Sequence, residues 1–154
     1  MSAQTATEAV YNLLKTVAGV GPNVYDRIRF SNNDLQFNAL FKDATDPAAA
    51  FVHTWMVSRE ASAARDEAMQ AMSRTHTIVM NGFRAFQDPD SEPLWQAEIE
   101  AICDAFYPYS ARHFGGAFDW SGPPEVQGVK LVFFGSVLCH AARIVHTVRE
   151  FPLN

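Results

Sequence analysis

The chain has 154 residues, 48% of them hydrophobic, and a formal net charge of −5. That length and apolar content suit one compact domain with a real core and exclude a compositionally disordered chain. The acidic balance, with arginines dispersed along the sequence, argues against a generic phosphate-binding surface, which needs clustered cations.

Thr5 or Thr7 can cap a first helix running to about Thr16, with Val10, Leu13, Leu14 and Val17 as its apolar stripe. The Ala18-Gly19-Val20-Gly21-Pro22 run breaks it. Residues 23–47 carry little periodicity, yet Phe30, Leu35, Phe37, Leu40 and Phe41 need burial. Irregular structure covering the core is expected there, with a short helix around residues 35–42.

Residues 51–60 alternate as a strand, Phe51, His53, Trp55 and Val57 on one face and Val52, Thr54, Met56 and Ser58 on the other. Both faces are apolar at the start, which predicts a central strand. Residues 74–86 read as a second strand. Between them lies an Ala-, Met- and charge-rich connector, residues 61–73, too short for a stable isolated helix and expected to be mobile until something packs on it. Asp88-Pro89-Asp90-Ser91 then supplies a turn and a helix cap. Trp95, Ile99, Ile102 and Phe106 follow at helical spacing, opposite Gln96, Glu100 and Asp104, and Pro108 ends the helix. Residues 109–124 read as an aromatic, Gly-containing loop, and residues 129–134 and 138–150 as two more strands about a Gly135-Ser136 turn or bulge. This order predicts one α+β domain over residues 1–154: an N-terminal helix and covering segment (1–50), then a core (51–150) of a mainly antiparallel four-stranded sheet with helices on one face and a long protruding β-hairpin.

The chemistry in this pattern is sparse. His53, His76, His140 and His146 fall on strands, but none has the short spacing of a zinc site, and His140 and His146 lie about 20 Å apart along one strand. Cys139 and His140 are adjacent and so point to opposite faces. Cys103 and Cys139 read as buried thiols, and Glu98, Glu100 and Asp104 as a solvated helix flank. The glycine pairs lack the strand-to-helix context and lysine of a phosphate loop. No catalytic residue, metal or cofactor is expected, and the protein reads as a non-enzyme. Phe106, Tyr107, Tyr109, Phe114, Phe118 and Trp120 either plug one end of the sheet or line a small ligand pocket with Arg112 and His113. Arg65, Asp66, Glu67, Met69 and Met72 of the connector are either a solvated loop or a partner surface. No apolar run approaches the ~20 residues of a membrane span. Residues 1–19 lack a basic start with an apolar centre, so an unprocessed cytosolic protein is expected.

The segments "HTWMVSRE", "RTHTIVMNGFRAFQDPDSEPLWQAEIEAICDAF" and "SVLCHAARIVHTVRE" together resemble the tail-terminator (tail-completion) proteins of long-tailed bacteriophages and related prophage or gene-transfer particles. The resemblance covers residues 51–150 and consists of a strand with an aromatic, a long hairpin, a strand of the form basic–x–His–x–apolar–x–apolar–Gly–aromatic, and a helix after an acidic turn. It implies a virion structural protein that sits as a ring, typically hexameric, on the head-proximal end of the tail tube, stopping polymerisation and offering a docking face to the head–tail connector or stopper protein. Its partners would be the tail tube protein, that connector and copies of itself, with DNA only passing through. It would be found in the host bacterial cytoplasm during assembly and then in the virion. Two alternatives remain open: another neck or head-completion protein, or a cellular α+β ligand-binding domain or enzyme using loop 107–120.

Overall fold

The computed structural model describes residues 3–43, 51–68, 71–87, 89–108, 118–120 and 122–153, with side chains described except at 3–5, 65–68, 71–72, 118–120 and 151–153. Among the described residues three helices and six strands follow one another as α1 (Ala3–Leu14), β1 (Val24–Tyr25), α2 (Asp34–Phe41), β2 (His53–Ala68), β3 (Ala71–Ala85), α3 (Ser91–Ala105), β4 (Phe118–Trp120), β5 (Glu125–Phe134) and β6 (Val137–Leu153). The fold is α+β. All six strands form one sheet, in the order β1-β2-β3-β6 with both β4 and β5 on the far side of β6.

The four-stranded antiparallel expectation is therefore corrected. β1 adds a parallel pairing to β2 through Val24 opposite Trp55 and Tyr25 opposite Met56. β4 pairs with β6 over three residues. Strands of two and three residues are too short to show an alternation, which is why neither was read. The strand bounds are also corrected: β2 and β3 continue into the connector and stay paired through Arg65 opposite Ser73 and Ala68 opposite Ala71, so the hairpin strands are longer than 51–60 and 74–86. Alanine and charge favour helix over strand, but the neighbouring ladder overrides so weak a preference.

The helices occupy both faces of the sheet rather than one. On one face, Ala6, Val10 and Leu14 of α1 and Trp95, Ile99, Ile102 and Phe106 near α3 pack with Trp55, Val57, Ile78, Met80, Ala142, Ile144 and Val148. These are the helical stripes that the i, i+3 and i+4 spacings demand. On the opposite face, α2 buries Phe37 and Phe41 against Val52, Met56, Ala85, Phe134 and Cys139. Asn33 caps α2, its side chain accepting from the Leu35 and Gln36 amides at 3.0 and 3.2 Å. The β5–β6 turn is Gly135-Ser136, with Gly135 at φ 63°, the left-handed backbone that a two-residue hairpin needs.

Behind the sheet centre the Trp55 and Trp95 rings stack at 5.2 Å. Trp55 lies directly over Gly82 of the neighbouring strand, where a Cβ would come within 2.6 Å of the indole. Only glycine leaves room for that ring.

Candidate interaction surface

β5 is a rim of the sheet, paired along β6 and, among the described residues, with nothing on its outer side. Its sequence alternates, and a bulge at Gln127 keeps Val126 and Val129 on the same face although they are three residues apart. Val126, Val129, Leu131 and Phe133 therefore line up on the face that α1 and α3 cover farther in. The helices do not reach them: Val129 is 42%, Leu131 50% and Phe133 74% exposed. Leu138, opposite Phe133, and Phe86, whose amide donates to the Leu138 carbonyl at 2.9 Å, extend the exposed apolar strip. An open backbone edge beside a row of large apolar side chains is a template for another chain.

The other face of β5 mixes polar and apolar groups. Asn81, Phe83, Gln127, Lys130, Val132 and Arg143 line a half-open cavity of about 480 Å³. Arg143 is held there by Gln127 at 3.0 Å and by an ion pair to Glu60. A second exposed apolar group, Ile28 and Phe30 beside Arg27 and Arg29, lies on a different element, the segment after β1 where it meets Gln36 and Leu40 of α2.

The connector residues singled out from sequence stand as follows. Arg65, Asp66 and Glu67 belong to β2 and Met72 to β3, while Met69 lies outside the described residues. In the stretch leading to them, residues 59–64 of β2 are all exposed. Of the aromatic-loop residues, Tyr109, Arg112 and His113 lie outside the described residues, and Trp120 is placed by its backbone in β4, opposite Val148. The two cysteines are buried and free. Burial pushes the Cys103 thiol up and the Cys139 thiol up to about 12. Cys139 faces the α2 side and His140 the α3 side, where its Nε2 meets Ser91 Oγ at 2.9 Å. Among the described residues no three His, Cys, Asp or Glu side chains stand close enough to hold a metal ion.

One residue read as solvated is not. Glu98 is only 5% exposed, whereas Glu100 and Asp104 do face solvent. Its carboxylate accepts from Trp55 Nε1 at 2.7 Å and from Arg84 at 3.2 Å, and meets His53 Nε2 at 2.7 Å. His53 Nδ1 in turn stands 3.9 Å from Asp43. This network ties α3 to β2 and β3. Helical spacing placed Glu98 one position from the apolar stripe, and the strand donors that hold it there have no signature in the sequence.

The exposed row on β5 was equally missed, although its signal was present. The alternation of Val129, Leu131 and Phe133 marked a strand, but only the sheet order makes that strand a rim. No protein-family model matches the chain, and comparison with curated proteins also finds no match.

Proposed function

We propose that this chain is a structural assembly subunit, a tail-terminator-like protein that caps the head-proximal end of a phage-like tail tube as a ring. The observation that carries the reading is the β5 rim: an open strand edge with Val129, Leu131 and Phe133 exposed beside it. Water-exposed apolar rows of this kind are covered in the working state of a protein. The Ile28–Phe30 patch lies on another element, and two dissimilar patches support a head-to-tail contact between copies, which closes into a ring when the rotation per subunit allows it. In the resembled family that ring is typically hexameric.

In the same reading the distal β2–β3 hairpin is a protruding arm that meets the last ring of tube protein. The exposed residues 59–64 support this. The opposite face of the ring would meet the head connector, and the net acidic charge would let DNA pass without adhering. Assembly in the host cytoplasm and residence in the particle follow from that role. Among the described residues no helix is long and apolar enough to cross a membrane.

The test combines solution mass with electron microscopy of purified tail tubes. Wild-type protein should decorate one end of each tube. Phe133→Asp with Leu131→Lys should abolish ring formation and capping while shifting unfolding free energy by less than about 1 kcal/mol, because exposed side chains contribute little to stability. Deleting residues 65–72 should leave the fold and remove capping. Wild-type protein that never marks tube ends overturns the reading, and capping by the rim variant overturns the assignment of the rim.

A further inference from the structure

We infer that Ser62 is an activated nucleophile that takes an acyl group from activated esters, with His76 as its base and Glu150 positioning that base. This lies beyond the assembly role and does not depend on it. The arrangement begins with a bulge. Pairing steps from Arg59 opposite Ile78 to Ala61 opposite Thr77, so Glu60 is an extra residue and the alternation flips. Arg59 and Ser62, three residues apart, are thereby turned to the same face. Arg59 donates a hydrogen bond to Ser62 Oγ at 3.4 Å.

Ser62 stands opposite His76 on β3, and its Oγ lies 2.6 Å from His76 Nδ1. His76 stands opposite Val148 on β6, so Glu150 is its diagonal neighbour on the same face. Glu150 Oε2 lies 3.3 Å from His76 Nε2. A carboxylate can only accept, so the ring proton sits on Nε2 and bare Nδ1 faces the serine hydroxyl. His76 is 0% and Glu150 2% exposed, while Ser62 and Arg59 reach solvent. Glu150 Oε1 is buried with no hydrogen-bond partner among the described residues. A buried carboxylate aimed at the far nitrogen stabilises the imidazolium that forms when Nδ1 takes a proton.

The step balances within these groups. Ser62 Oγ attacks the ester carbonyl and its proton passes to His76 Nδ1. The carbonyl oxygen, negative in the tetrahedral intermediate, is within reach of the Arg59 guanidinium. The C–O bond to the leaving alkoxide breaks, the alkoxide takes the proton from His76, and an acyl-Ser62 ester remains. Water then attacks by the same route, releasing the acid and restoring Ser62. The site is an open strand face rather than a cleft, which selects small donors with good leaving groups.

The full-length protein should be treated with a fluorophosphonate and, separately, with p-nitrophenyl acetate, and the adducts located by peptide mass mapping. Label is expected at Ser62, at least ~100-fold faster than at any other serine, the low end of what a positioned base supplies. The rate should rise with pH along one sigmoid, which Glu150→Gln displaces. Ser62→Ala should remove the adduct with an unchanged melt, and Arg59→Met should slow labelling without unfolding. Ser91 is an internal control, since it also contacts a histidine but is buried. Wild-type Ser62 labelled no faster than other serines, or labelling that survives Ser62→Ala, overturns the inference. In that event the hydroxyl merely seals a buried imidazole.

Discussion

Replacing Glu98 tests whether the polar network under α3 holds the fold together. Glu98→Ala removes the acceptor of a 2.7 Å bond from Trp55 Nε1 and the partner of His53 Nε2 at 2.7 Å. Trp55 is fully buried and His53 nearly so, which leaves them poor access to water. A buried polar group left unsatisfied costs about 1–3 kcal/mol. Arg84, whose side chain is 28% exposed, can be rehydrated and adds little. With two such groups left behind, Trp55 Nε1 and His53 Nε2, the expected loss is about 2–6 kcal/mol. That is a large part of the ~5–15 kcal/mol that holds a domain folded. Glu98→Gln keeps the volume and one acceptor oxygen, so about 1–3 kcal/mol is expected for it. Urea titration followed by tryptophan fluorescence reports directly, because Trp55 stacks on Trp95 and donates to Glu98. A Glu98→Ala midpoint within ~0.5 kcal/mol of wild type would refute the reasoning and return Glu98 to the solvated flank.

Two further outcomes follow from the core. His146 is fully buried against Phe106, and loss of solvation pushes its pKa from 6.5 down to about 4. Below about 6.5 the unfolded chain binds a proton that the folded chain refuses until about 4, so stability is fully present above that window and falls as pH drops through it. At about 1.4 kcal/mol per pH unit the loss approaches ~3 kcal/mol. Burial also lowers the pKa of His140, which adds loss of the same sign. Urea unfolding at pH 4 and pH 7 should show His146→Leu losing about 3 kcal/mol less than wild type, and equal losses would refute it. Gly82→Ala drives a Cβ to 2.6 Å from the Trp55 ring and should cost about 1–3 kcal/mol or more in thermal melts. A neutral result would mean that the two strands separate easily at their most crowded crossing.

Trp95, Ile99, Ile102 and Phe106 determine α3 and its buried face by spacing alone, because a 3.6-residue period is a local property. The alternation of 51–57 and the Gly135-Ser136 turn likewise declare β2 and the β5–β6 hairpin without reference to anything distant. What stayed hidden depends on which strand lies beside which. Glu98 is a core residue because Trp55 and Arg84, far along the chain, aim donors at it. The Phe37 and Phe41 pair needed burial, but only the assembled sheet decides that they take the face opposite α1 and α3. Ser62, His76 and Glu150 come from three strands, and a single bulged residue turns the serine toward the histidine. The apolar alternation in β5 reads the same in a central strand as at a rim. Sheet order alone leaves Leu131 and Phe133 in water, because side-chain period records the pleat and carries no information about neighbours.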